Sequence, residues 1–234
     1  MIRALLVTGT DTGVGKTIVS GGLAAALARR GIDVGVMKPF ATGATRRRGT
    51  LVSEDAGFLQ EAAGVRDPLA LINPICLKPP LAPSMAARVA RKPIDLRKVG
   101  AAYRALRAAH STLIVEGVGG LLVPLLTGFT VAHLARRWKL PLLIVTRPTL
   151  GTLNHTSLTV LAARSFGLRV LGLVLNHGSS APRGLAERLN PAALEAETRV
   201  PVLAEIPYLG SHPGKALRHR AFDRLVDRLP IFPQ

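Results

Sequence analysis

Five side chains in this sequence have the types and settings to handle phosphate and a divalent cation: Lys16, Thr17, Lys38, Asp55 and Glu116. Lys16 and Thr17 close a loop, Thr8 to Gly15, within the stretch VTGTDTGVGKT. Its glycines let backbone N–H groups curl around phosphate oxygens without a Cβ in the way. A helix starting at such a loop aims its positive dipole end at the same anion. Lys16 then supplies a point charge for β- and γ-phosphates, and the Thr17 hydroxyl a ligand for Mg²⁺. Nucleotide contacts are expected from Gly13, Val14 and Gly15 through Ile18. Counted from Gly9, five residues (Thr10 to Val14) precede Gly-Lys; the common pattern has four.

Lys38 and Glu116 stand at the carboxyl ends of apolar runs, where open α/β sheets bind ligands. Lys38 follows Val34–Met37 and precedes Thr42 and Gly43. An ammonium there suits an anionic intermediate beside the γ-phosphate. Glu116 follows Thr112–Val115 and leads into Gly117, Val118 and Gly119. A carboxylate at the end of a buried strand, near a nucleotide-binding lysine, reads as a Mg²⁺ ligand, direct or through water. Asp55 reads equally as a third ligand or as a helix-start carboxylate.

Stepping outward, apolar runs alternate with helical patterns along the chain. Strands are predicted at Ala4–Val7, Val34–Met37, Thr112–Val115, Leu142–Val145, Val170–Leu175 and Val202–Ile206. Helices are predicted at Ile18–Arg30, Glu54–Ala63, Ser84–Ala90, Leu96–Ala109, Thr130–Trp138, Thr156–Phe166, within Ala181–Thr198 and at Ala216–Arg228. Arg66 to Pro83 is proline-rich and reads as loop. Strands separated by helices imply right-handed crossovers and a mostly parallel sheet covered on both faces. The expectation is an α/β fold, a single P-loop domain over residues 1–234.

With 234 residues, 48% of them hydrophobic, the chain can bury a sizeable core. One cysteine, Cys76, excludes an internal disulfide; a small buried apolar side chain is expected there. The N-terminal apolar stretch is too short for a signal peptide, and no run approaches a membrane span. A cytoplasmic protein is expected. The net charge of +17 raises the question of nucleic acid. However, the basic residues are scattered along the chain, and aromatics make up only 4% of it, little for a base-stacking platform. Neither a nucleic-acid nor a membrane partner is expected.

The segments VTGTDTGVGKT, MKPFATG, SEDAGFL, VEGVGGLLVPL, LGTLNHTSLT and AEIPYLG resemble, in order and spacing, those of dethiobiotin synthetases. The likeness runs from about Leu6 to Leu209, and that family's loop shares the five-residue spacing. The resemblance implies a P-loop homodimer that uses ATP and Mg²⁺ to convert 7,8-diaminononanoate and CO₂ into a cyclic urea through a phosphorylated carbamate. It implies catalytic roles for Lys16 and Lys38, and a metal site of Thr17, Asp55 and Glu116. Substrate contacts are implied for Thr12, Thr42, Leu150, Gly151 and Asn154, the last reaching across the dimer. Asn176 and His177, with Pro207, Tyr208 and Leu209, are placed at the nucleotide base. Three positions depart from the family pattern: Gly13 and Gly214, where some members carry an acid, and His177, where aspartate is frequent. A partitioning-type ATPase binding DNA or membrane is the alternative. It resembles its relatives in a second loop lysine, and Asp11 occupies that position here.

Overall fold

The computed structural model describes residues 2–210, 214 and 217–229. Twelve strands are formed there: β1 (Ala4–Gly9), β2 (Val34–Met37), β3 (Phe40–Ala41), β4 (Thr45–Arg47), β5 (Thr50–Val52), β6 (Ile75–Cys76), β7 (Thr112–Gly120), β8 (Pro124–Leu126), β9 (Phe129–Thr130), β10 (Leu142–Thr146), β11 (Val170–Asn176) and β12 (Val202–Ile206). The helices are α1 (Lys16–Arg29), α2 (Glu54–Ala63), α3 (Leu69–Ile72), α4 (Pro83–Val89), α5 (Leu96–Ala109), α6 (Val131–Arg137), α7 (Thr152–Ser165), α8 (Leu185–Thr198) and α9 (Arg220–Arg228).

Six strands make a parallel sheet in the order β12-β11-β10-β1-β7-β2. The crossover from β1 runs to β2 on one side, and the crossover from its neighbour β7 runs back past it to β10 on the other. That is a topological switch point, and the crevice beyond its carboxyl end is where such sheets bind ligands.

The strands are apolar throughout because both faces are covered. Successive side chains alternate between two cores. Leu6, Met37, Val115, Ile144 and Leu173 pack with Val99, Leu106, Leu134 and Val160 of the helices on one face. Leu5, Val7, Val36, Leu143 and Val174 pack with Val19, Leu23, Leu27, Leu59 and Phe222 on the other. Gly22 of α1 lets α9 come close: a Cβ there would lie 2.3 Å from Phe222 Cζ.

Several boundaries differ from the sequence expectation. Strand β7 continues through Gly120, because it pairs with β1 past Glu116, resuming at Gly9–Gly120 after a register shift. Helix α7 starts one turn earlier than its apolar pattern, at Thr152 behind Gly151 (φ 90°). Within the stretch read as loop, α3 and β6 form; β6 pairs with β3, and so only a tertiary partner creates it. Cys76 is half-buried there rather than buried. The terminal helix expected from Ala216 begins at Arg220, and Ala216 lies outside the described residues.

Candidate active site

The loop between β1 and α1 wraps a cavity of about 270 Å³. Thr12, Gly13, Gly15, Lys16, Thr17, Lys38, Thr42, Asp55, Glu116, Val118 and Gly119 line it. Residues from α1, α2, β7 and the turn after β2 therefore meet at one edge of the sheet. Gly15 sits in the left-handed region at φ 98°, and a Cβ there would be 2.0 Å from Asn176 Nδ2. Only glycine allows that backbone and that approach together.

A compact charge cluster forms the floor. Lys38 Nζ donates to Asp55 Oδ2 at 2.7 Å and to Glu116 Oε1. Thr17 Oγ1 donates to the same Glu116 oxygen at 2.8 Å. The Lys38 side chain is 6% exposed and that of Glu116 0%. Burial pulls the Lys38 ammonium toward neutrality, but the carboxylates of Glu116 and Asp55 outweigh it and hold the pKa above the usual lysine value. Lys16 Nζ donates to the carbonyl of Asp11 at 2.8 Å. Its pKa is lowered to about 8, chiefly by burial, with the nearby Lys38 charge adding to the effect and Glu116 opposing it.

Glu116 Oε2 is buried and has no hydrogen-bond partner. A bare carboxylate oxygen in a low-dielectric pocket is a costly arrangement unless a cation uses it. With the Thr17 hydroxyl and the Asp55 carboxylate beside it, the donor set is all oxygen. That suits a hard divalent ion such as Mg²⁺ that keeps several waters.

Other expected residues lie outside this cavity. Val14 is buried, and its carbonyl accepts a 3.0 Å hydrogen bond from Asn176 Nδ2. Asn176 thus braces the loop from the end of β11. His177 faces Glu205 (Nε2 to Oε2, 3.2 Å), which Arg183 also engages at 2.8 Å. Of the residues after β12, Tyr208 is exposed and Leu209 packs on the core. Pro207 stands between β12 and Tyr208. Ile18 follows Thr17 in α1, and Gly117 lies within β7. Leu150, Gly151 and Asn154 are exposed at the start of α7.

Two contributors escape a reading of the sequence. Arg147, the first residue past β10, donates to the Gly13 carbonyl at 2.7 Å; its place at a carboxyl strand end is the signal that could have found it. Asn73 Nδ2 donates to the Lys38 carbonyl at 2.7 Å and to that of Ile75 at 3.1 Å, fixing the strand end that carries Lys38. It sits in the stretch read as loop, without a motif.

A protein-family model described as an AAA domain matches residues 3–213. The ATP-dependent dethiobiotin synthetase BioD of Bacillus velezensis is 42% identical over 218 residues, covering 93% of this chain and 92% of that protein. The chain belongs to the dethiobiotin synthetase family. The namesake from Thermodesulfovibrio yellowstonii is 40% identical over 216 residues, 89% of this chain and 90% of that one. Among solved structures, the septum site-determining protein MinD of Pyrococcus horikoshii, complexed with Mg-ADP, superposes with a TM-score of 0.57 at 17% identity, covering 97% and 95% of the two chains. That likeness establishes the P-loop ATPase fold alone. Identity of 40% and more over nine-tenths of the chain separates this family from the partitioning-type alternative.

Proposed function

We propose that this chain closes the ureido ring of dethiobiotin from 7,8-diaminononanoate and CO₂ at the expense of ATP. One amine adds to CO₂ and loses a proton, giving a carbamate. A carbamate oxygen attacks the γ-phosphorus, and ADP leaves with the electron pair of the broken P–O bond. The second amine attacks the carbonyl carbon of the resulting mixed anhydride, phosphate departs with the C–O bonding pair, and the new amide nitrogen gives up a proton.

The observation that carries this reading is the convergence of Lys16, Lys38, Thr17, Asp55 and Glu116 on one cavity. Lys16 is placed to leave the Asp11 carbonyl for the β- and γ-phosphates. Lys38 is kept cationic and nearly dry, so its charge acts strongly on a carbamate and its acyl phosphate. Thr12 and Thr42, at the cavity wall, offer hydroxyls to the substrate. Asn176 positions the loop and presents the nucleotide-base side, with His177 and Pro207 to Leu209 around it. Thr17, Asp55 and Glu116 would hold Mg²⁺, whose contribution is to offset phosphate charge. The residue chemistry calls for no other cofactor.

The same reading takes the protein as a homodimer. Leu150, Leu153, Leu158 and Leu161 at α7 are exposed, as is Leu122. Leu122, His155 and Leu158 border a cavity of about 410 Å³ that reaches Thr10 and Asp11 of the loop. A second copy covering this apolar face would enclose the diamine tail and bring Asn154 toward it.

Labelled bicarbonate tests the reaction. Label should enter dethiobiotin only when diamine, Mg²⁺ and ATP are all present. ATP turnover that ignores the diamine, with no labelled product, would overturn the assignment.

A further inference from the structure

A cavity of about 830 Å³ opens at the amino ends of β1, β10 and β11, the edge of the sheet opposite the P-loop. Five cations line it: Arg3, Arg107, Arg136, Lys139 and Arg169. An adjoining cavity of about 310 Å³ adds Arg104 and Arg137. No carboxylate lines either space.

Some exposed cations elsewhere on this protein are paired. Arg29 meets Asp223, Arg30 meets Asp227, Arg47 meets Glu54 and Arg183 meets Glu205. Among the described residues, none of the seven cations around the two cavities takes part in a salt bridge. Arg107 and Arg136 stand in the last turns of α5 and α6, where the negative helix end favours a cation. Arg3 and Arg169 precede strands, and no helix end accounts for them. Lys139 holds a left-handed backbone, φ 53°, at which glycine is far more comfortable. Basic residues distant in sequence are thus gathered without counterions. Residues that are scattered along the chain, as expected, are partly gathered in space at this pole.

Between the two cavities stand Tyr103 and Trp138, which line both. Their rings are stacked, 4.0 Å between centroids and 5° from parallel. Both are half-buried, so the stack has a fixed pose and an accessible margin. An aromatic stack ringed by unpaired guanidinium and ammonium groups combines a platform for a planar heterocycle with a cradle for several phosphates.

We propose that this pole of the sheet is a second ligand site, for a nucleoside polyphosphate, separate from the catalytic cavity. The base continues the Tyr103–Trp138 stack. The phosphates lie among Arg3, Arg136, Lys139 and Arg169. The volume, three times that of the catalytic cavity, admits a whole nucleotide rather than a lone anion.

Equilibrium dialysis with labelled ATP tests this. In Lys16→Ala protein the catalytic site is weakened, and close to one equivalent per chain should still bind. Adding Arg136→Glu and Lys139→Glu, both exposed, should weaken that binding at least about tenfold. The residual binding should also fall as salt rises. Trp138→Leu should weaken ATP more than it weakens inorganic tripolyphosphate, because only ATP carries a base. Three outcomes would overturn the proposal. They are no ATP retained by Lys16→Ala, retained binding indifferent to the charge reversals, and displacement of ATP by a single-stranded oligonucleotide at far lower concentration than by unlabelled ATP. Charge reversal at two exposed positions leaves the fold intact, so the test stands even where Trp138→Leu destabilises.

Discussion

Thr17 at the start of α1 donates its hydroxyl to Oε1 of Glu116 on β7, at 2.8 Å across a separation of 99 residues. That single bond ties the phosphate loop to the acidic floor of the site. It also ties the two strongest sequence motifs to each other. Because Lys38 uses the same carboxylate, loss of Glu116 affects stability as well as turnover.

Glu116→Ala strands the buried Lys38 ammonium with only the half-exposed Asp55 as partner. Removing one member of a buried pair costs about 3–5 kcal/mol. The remaining Asp55 places the expected loss near the lower end, about 3 kcal/mol by urea denaturation. Lys38→Met combined with Glu116→Leu should recover much of it while remaining inactive. A double variant no more stable than Glu116→Ala would show that the pair does not behave as a unit.

Lys38→Ala should lower kcat by about 100-fold or more, since a preorganised charge acts on the transition state. KM for ATP should change little, because Lys38 sits beyond the phosphate loop. Steady-state kinetics decides it; an unchanged kcat removes Lys38 from the mechanism.

Lys16, lowered to about 8 by burial, is partly deprotonated at pH 8 in the free protein. Nucleotide phosphates favour the ammonium, so binding at pH 8 should take up a fraction of a proton, and at pH 6 almost none. Nucleotide affinity should decline as the pH rises through 8. Calorimetry in buffers of different ionisation enthalpy reads the uptake directly. Lys16→Arg should abolish it, because arginine stays charged.

Away from the site, His110 bridges Asp33 (2.6 Å) and Asp67 (3.0 Å). Burial pulls its pKa down, but hydrogen bonds to the two carboxylates raise it above the ordinary 6.5. The His110 hydrogen bond in turn depresses Asp33 below 3.8. The histidine's contribution is complete below pH 6.5 and fades as pH rises through its folded value. That of Asp33 is complete above pH 3.8 and fades in stronger acid. Urea midpoints should therefore be highest between about pH 4 and 6.5 and decline above it. His110→Asn should flatten the alkaline side; a decline of the same slope in that variant would assign it elsewhere.

With Asn176 and His177 at the nucleotide base, as proposed above, their contacts bear on nucleotide choice. His177 turns to Glu205, and Asn176 spends an amide hydrogen on the Val14 carbonyl. Little is left to discriminate one base from another, so kcat/KM for ATP, CTP and GTP should agree within about tenfold. A preference for ATP far beyond that would mean that another group reads the base.

The P-loop and the strand–helix alternation were legible because each rests on local rules. Gly-Lys-Thr must follow a strand and open a helix, and buried parallel strands must be apolar on both faces. The sequence also placed Lys38 at the carboxyl end of its strand, though Glu116, expected to follow its strand, lies within β7. It could not show that they share an ion pair, because β2 and β7 are adjacent only through sheet order. The same limit hid Asn73 and Arg147, whose partners lie 35 and 134 residues away. Pairing short segments such as β3 with β6 requires the assembled sheet. So does gathering dispersed arginines at one pole, because side chains far apart in the chain become neighbours only when strand order and crossovers are fixed.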